Sequence, residues 1–487
     1  MLRVLALVLC AATVADQAPA PATRSIVVIS DLHMGPGRDS TGAWHAVEDF
    51  RWRDEFVRFL DAVSADGGAV DLVINGDLFE LLQSPEVPCV GADGIVGCTD
   101  NEALQRLFIV TKVHAAELAA VGKFASAGSN RVYVVPGDHD AALSIPRVWQ
   151  RALTAFAASP DRVMLVSSGR WRSADGRVHV EHGHQLPLSA DRFLRWPSPV
   201  ISNGGRTFVE RPWGEYALLP FYDRVETRYP IVDNIAEEGV GARFVVAALA
   251  EPPDNAPELL RLLLTKTTWQ QFRMDLDDGE VQAPEWDLTK IRADLAAFVS
   301  ASLTADDPFA ATAKKLASAA LAEIGTALTD QQIVAVCDYR AAIRRARRRM
   351  ERVLTQLPGV GPPIAECPRV ADTVGPAFEY YWRSRDRQVK DHIGDPKGLD
   401  AIVFGHTHLL DRPYRPFGDD GPVVVTSGAW QRTIHPNDIK QIDAPLESLP
   451  ACYSFVQIDA AAGRRVPQPR SWRLNQQQQW GMANGGC

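Results

Sequence analysis

The sequence predicts an α/β protein interrupted by a mainly helical insertion. Short β-branched apolar runs alternate with amphipathic stretches of helical period, which is the pattern of strands separated by helices. The apolar runs tend to end in Asp or His, so polar chemistry gathers where strands stop, as ligand sites do in α/β layers. From about Asp191 to Lys397 the strand signals thin out, and helical periodicity dominates after Arg243.

Residues 1–23 read as a secretory signal and an Ala/Pro spacer. Met1-Leu2-Arg3 is a short basic start, Val4 to Val14 is apolar, and Thr13-Val14-Ala15 offers small residues for cleavage. The apolar part is too short to span a bilayer. Cys10 sits where a lipidation cysteine would, but the large Leu9 before it argues for an exported, periplasmic or extracellular chain without an anchor.

The core begins with Ser25-Ile26-Val27-Val28-Ile29, a buried-strand pattern that breaks into Ser30-Asp31-Leu32-His33. In extended chain, residues two apart point to the same side, so Asp31 and His33 can face one ligand. A helix follows around Glu55 to Ser64, and then Ala69 to Asn75 runs as a strand into Gly76-Asp77-Leu78-Phe79-Glu80. A helix is expected over Asn101 to Ala127. The strand Arg131 to Val135 leads into Pro136-Gly137-Asp138-His139-Asp140, and Val178 to Glu181 leads into His182-Gly183-His184. This first part of the core covers residues 24–190.

The insertion, residues 191–397, opens with an aromatic and charged run from Arg211 to Asn234. It continues with helices expected over Leu259 to Lys266, Leu288 to Ser302, Ala310 to Leu328 and Gln331 to Leu357. Arg340, Arg344, Arg348 and Arg352 would line one face of the last helix; such a stripe suits phosphate or an acidic head group, or a solvated face paired with acids. The core resumes over 398–475 with Ala401-Ile402-Val403-Phe404 before Gly405-His406-Thr407-His408. Val423-Val424-Val425 precedes Thr426 to Trp430, and a closing hairpin runs from Cys452 to Ile458 and back near Arg464. Residues 476–487 read as a polar tail, mobile until Cys487 finds a partner.

Composition bounds the function. The chain has 487 residues, 46% hydrophobic and 23% charged, the balance of a globular protein with room for a catalytic domain and an insertion. A net charge of −9 argues against a general nucleic-acid binder, which needs a basic surface, and no sequence-specific nucleic acid is expected as a partner. Removing the signal with Cys10 leaves Cys89, Cys98, Cys337, Cys367, Cys452 and Cys487, an even number that suggests disulfides in an exported chain. Cys89 and Cys98 bracket a Gly-rich loop and form the best local pair. No Cys-x-x-Cys occurs, which argues against a cysteine zinc site.

Asp31, His33, Asp77, Asp138, His139, His182, His406 and His408 all sit at strand ends. Carboxylates mixed with this many imidazoles suit two divalent transition metal ions, Mn, Fe or Zn, rather than magnesium. In this order the blocks resemble those of the calcineurin-like metallophosphoesterases, over roughly Ser25 to Gln185 and Leu399 to Arg473. The resemblance implies a four-layer α/β/β/α sandwich with the insertion as a cap that decides substrate. It implies that Asp31, His33 and His408 hold one metal, Asp138, His182 and His406 the other, and that Asp77 bridges. It further implies in-line attack on a phosphomonoester or phosphodiester by a metal-bridging hydroxide, with His139 as general acid and Glu80 orienting it.

Two positions depart from the family pattern. Glu80 stands where aspartate is more common, and Gly76 to Glu80 resembles the branch that includes UDP-2,3-diacylglucosamine pyrophosphatases, which would make the substrate a nucleotide- or lipid-linked diphosphate. Asp138 stands where asparagine is usual; its extra charge brings two divalent ions, a hydroxide and three aspartates to a formal sum of about zero, favouring tight metal binding and either diesters over dianionic monoesters or a trivalent ion at one position. His184 is a ligand or a supporting group. The segment Ser427 to Trp430 resembles a turn that closes this fold, with Trp430 either near substrate or in the core. His45, His114, His179, His392 and His435 are assigned no role. The expected partner is a phosphoester, small or lipid-linked, and membrane association is left open. A non-catalytic, metal-bound envelope protein is the alternative of a different class, and the presence of both His139 and Glu80 argues against it.

Overall fold

The computed structural model describes residues 24–65, 69–186, 191–212, 385–410, 412–434, 445–460 and 463–487, with isolated positions between 214 and 235. The expected signal, the helices expected between 259 and 357, the arginine stripe, Cys337, Cys367 and His435 lie outside these residues.

Two sheets lie face to face. The larger contains, in spatial order, β14 (Trp480–Asn484), β13 (Gln468–Leu474), β12 (Cys452–Ile458), β1 (Ser25–Ile29), β2 (Val70–Asn75), β4 (Arg131–Val135) and β5 (Val163–Leu165). The smaller runs β11 (Val423–Thr426), β10 (Ala401–Phe404), β7 (Val178–Glu181) and β6 (Arg170–Arg172). The neighbours β1, β2, β4 and β5 are parallel, as are β7, β10 and β11. Strands with both faces covered read as unbroken apolar runs, and β1 divides accordingly. Ile26 and Val28 pack between the sheets with Val180, Val403 and Val425. Val27 and Ile29 face the opposite way, into the core under the helices.

That outer core is filled by α1 (Arg53–Ala65), α2 (Asp100–Val113), α3 (Ala115–Ser126) and α4 (Pro146–Phe156). In α1 the residues Phe56, Phe59, Leu60 and Val63 recur at helical spacing and are all buried. On the outside of the smaller sheet, Val389 of α5 (Arg385–Ile393) packs with Leu399, Ile402, Phe404 and Val424. The mixed α/β fold is therefore layered helix, sheet, sheet, helix, the order that the sequence resemblance implies.

Four details differ from the sequence reading. The helix expected over 101–127 is two helices broken at His114, which closes α2. The start of α2 is fixed by a capping box, in which Thr99 Oγ1 accepts from Glu102 N and Glu102 accepts from Thr99 N. The return strand lies at Gln468–Leu474 rather than near Arg464. The polar tail is the edge strand β14, because Trp480 and Met482 alternate onto the core and the glutamines before them form the turn; Cys487 bonds Cys452. The described start of the insertion is a hairpin, β8 (Val200–Asn203) and β9 (Arg206–Glu210), which pairs with β3 (Val96–Thr99) beside the Cys89–Cys98 disulfide. Trp430 is fully buried and stacks on Tyr453 at 4.4 Å, so it fills core. Among the described residues no helix is long and apolar enough to cross a membrane.

Candidate metal centre

The C-terminal ends of β1, β2, β4, β7 and β10 converge, and the polar groups that follow them meet. Among the described residues, Asp77, Asp138, His182 and His406 present ligand atoms within 4.8 Å of one another, as do Asp31, His33 and His408, and as do His33, Asp77 and His139. All seven metal-ligand residues expected from sequence are thus brought together, and Asp77 and His33 connect the groups.

The backbone is bent to achieve this. Asp31, His33, Asp77, His406 and His408 are five of the seven described non-glycine residues with positive φ. Each such residue costs about 1 kcal/mol or more, and such strain concentrates at functional sites. Two glycines show why Gly precedes Asp in the motifs. A Cβ on Gly76, at φ +85°, would lie 2.1 Å from His182 Nδ1, and one on Gly137 would lie 2.1 Å from Asp77 Oδ1.

The donor distances fit cations. Two ligands held at about 2.1 Å from a metal and about 90–110° apart lie roughly 3.0–3.4 Å from each other. His182 Nε2 is 3.1 Å from Asp138 Oδ1 and 2.9 Å from Asp77 Oδ2; His406 Nδ1 is 3.2 Å from Asp138 Oδ1. In the other group His33 Nε2 and His408 Nε2 are 3.2 Å apart, and Asp31 Oδ1 is 3.6 Å from the latter. Asp77 Oδ2 also lies 3.8 Å from His33 Nε2. Converging imidazole lone pairs and carboxylates suit divalent transition ions, and among the described residues no cysteine joins these groups.

Neighbouring groups set which nitrogen faces the centre. His182 Nδ1 donates to the Asn75 carbonyl at 2.7 Å, which leaves Nε2 as its inward atom. Glu80 Oε2 accepts from His139 Nδ1 at 2.5 Å and faces His33 Nδ1 at 3.4 Å, while its Oε1 accepts from Leu82 and Gln83 N–H groups. Glu80 therefore orients two imidazoles, one more than the sequence reading gave it. Burial would raise the Glu80 carboxyl, but His139 holds it at about 2. Burial would likewise lower His139, but Glu80 and Asp77 hold it well above the usual histidine range.

Other members follow the same logic. Burial, together with His33, pushes His408 down to about 3, leaving a neutral donor. Burial works against ionised Asp138, yet His406 and His182 hold it well below the usual range. The protons shared here are those that cations displace on binding.

Two carboxylates were not assigned by sequence. Asp140 accepts from Gly137 N at 2.7 Å and Leu78 N at 2.9 Å, tying the loops after β2 and β4 together; burial and then Asp77 push it up to about 7. Asp191 lies 3.5 Å from His406 Nε2, opposite the nitrogen that faces Asp138. The signal for Asp140 was its place in the Gly137-to-Asp140 block; Asp191 carries none. His184 is buried against Trp196 and Phe193, with Nδ1 3.9 Å from Asp138, and burial pushes it down to about 3; it joins none of the ligand groups. Of the unassigned histidines, His179 and His392 both pair with buried Glu181, His114 pairs with Glu48, and His45 with Glu86.

Residues 24–235 match the family model for the calcineurin-like phosphoesterases. No curated protein matches the chain. His406 and His408 lie beyond the matched segment, yet the smaller sheet carries them to it. The chain carries a calcineurin-like phosphoesterase domain, with Asp and His groups placed to bind metal, and is by that domain a metal-dependent phosphoester hydrolase.

Proposed function

We propose that the protein is exported and hydrolyses a phosphomonoester or phosphodiester, with Asp31, His33 and His408 holding one divalent transition ion, Asp138, His182 and His406 the other, and Asp77 shared. The observation that carries this is the pair of ligand groups linked through Asp77, with an imidazole locked by Glu80 at their edge. Two bound ions would supply Lewis acidity toward phosphoryl oxygens and acidify water enough for attack at neutral pH.

The rest falls to the chain. Glu80, anchored by two backbone N–H groups, accepts the hydrogen bond of His139 Nδ1–H, so Nε2 is the atom from which a proton can reach the departing oxygen. His139 is also less buried than the Asp and His groups around it, its side chain 22% exposed, so substrate can reach it. Asp140 keeps the loop bearing Asp138 and His139 in register with the loop bearing Asp77. The disulfides Cys89–Cys98 and Cys452–Cys487 support export. The Gly76-to-Glu80 block supports a second reading, a pyrophosphatase on a nucleotide- or lipid-linked diphosphate.

Turnover of a generic aryl phosphodiester with added manganese tests the proposal. His139→Ala is expected to keep its metal and lose about 10²–10⁴-fold in rate. An absence of turnover across a broad panel of phosphoesters and diphosphates would favour a non-catalytic metal-bound envelope protein.

A further inference from the structure

The histidines of the centre are supported from different parts of the chain. His182 turns Nε2 inward and donates from Nδ1 to the Asn75 carbonyl at 2.7 Å, and His33 turns Nε2 inward with Nδ1 3.4 Å from Glu80 Oε2. Both of those partners come from the end of β2 and the loop after it. His406 is reversed: Nδ1 faces Asp138 Oδ1 at 3.2 Å, and Nε2 lies 3.5 Å from Asp191 Oδ2. Asp191 belongs to the long stretch that separates β7 from its sheet neighbour β10.

The segment that carries Asp191 is fixed from behind. Two residues on, Phe193 N donates to the Gln185 side-chain oxygen at 2.8 Å, and the Gln185 amide donates to the Phe193 carbonyl at 3.2 Å. The Leu194 and Arg195 N–H groups donate to buried Glu210, at the end of β9, at 2.8 and 3.0 Å. The rings of Phe193 and Trp196 stack at 5.6 Å, and both meet His184 edge-on. Residues 191–196 are thus held against the ligand group of Asp77, Asp138, His182 and His406. Asp191 joins none of the ligand groups itself, so it acts on a metal through the His406 ring.

We infer that Asp191 is a positioning residue for His406, and that the stretch between β7 and β10 thereby sets how tightly one of the two ions is held. The inference rests on the dinuclear phosphoesterase reading. A neutral imidazole carries one N–H, and that N–H must be at Nε2 when Nδ1 offers its lone pair to a cation. A carboxylate opposite Nε2 holds that tautomer, fixes the ring's direction and makes Nδ1 a stronger donor. Being charged, it does so more strongly than the carbonyl that serves His182.

Competition of the full-length, manganese-loaded protein against a graded series of chelators, with metal content read at each step, tests this without reference to turnover. Asp191→Ala is expected to weaken one ion by about 10–100-fold and to leave the other within about twofold. Asp191→Asn keeps the volume and an acceptor oxygen but removes the charge, so it should fall between; being nearly isosteric, it also serves if the alanine variant does not fold. Leu194→Ala, at an exposed position in the same segment, is expected to change neither ion. Both ions within about twofold of the unsubstituted protein in the two Asp191 variants, equal weakening of both ions, or the same selective loss in Leu194→Ala would overturn the role of Asp191 while leaving the dinuclear reading intact. An unsubstituted protein that retains fewer than two ions would overturn that reading and the inference with it.

Discussion

Five residues of the metal centre hold backbone conformations that side chains disfavour, and the cost is met by contacts they make as a set. Asp31, for example, accepts from His406 N across the two sheets while its own N–H donates to Gly76 O. Asp138 is the informative residue within that set. Its Oδ1 is near both His182 and His406, so its charge is spent inside the centre. Asp138→Asn is expected to weaken metal binding by at least about tenfold and to shift relative kcat/KM from diesters toward dianionic monoesters. Chelator competition and a paired substrate assay measure both; no change in either would contradict the charge argument. The aspartates were legible because Gly-Asp pairs at strand ends have a steric reason, seen at Gly76 and Gly137. Asp191 was not, because a lone aspartate at the head of an insertion has no local pattern, and only the fold brings it to His406.

At the scale of elements, the break between α2 and α3 shows a buried imidazole overriding periodicity. The helical pattern runs through His114, so the sequence alone reads one helix. His114 instead turns inward, with Nε2 3.2 Å from Glu48 Oε2 and from the Gly35 carbonyl, and Nδ1 3.5 Å from Glu117. Glu48 in turn accepts from Gly37 N at 2.6 Å and Phe50 N at 3.0 Å, so the pair secures the loop that follows His33. Burial alone would lower the His114 pKa, but the carboxylates of Glu117 and Glu48, which accept from its ring N–H groups, raise it from 6.5 to about 9. A raised folded-state value stabilises fully below the unfolded value and is lost as pH rises through the folded one. The stabilisation, on the order of 3 kcal/mol, is therefore present below about pH 6.5 and lost as pH passes about 9. Urea unfolding of His114→Gln against the unsubstituted protein should show that deficit at pH 6 and a much smaller one at pH 10. A gap that does not change with pH would rule out a charged His114.

At the scale of the whole molecule, two sheets assembled from distant parts of the chain put β1 and β10 back to back, which places His406 and His408 against Asp31. The layers were legible because continuous Val and Ile runs mark strands buried on both faces. The last strand was not, since its glutamine-rich approach reads as solvated and only the alternation of Trp480 and Met482 marks it as sheet. The Cys452–Cys487 disulfide, closing a separation of 35 residues, fastens that edge. Loop-closure entropy predicts that Cys487→Ser costs about 3–4 kcal/mol, measurable as lower denaturant stability under non-reducing conditions. Equal stability would mean that strand pairing alone holds β14.

Metal content of the purified full-length chain after incubation with manganese, iron or zinc tests the central claim most directly. The expected result is about two divalent ions per chain, falling to one or none in Asp77→Asn. A chain that retains no ion, or an Asp77→Asn variant that retains both, would contradict a shared dinuclear centre.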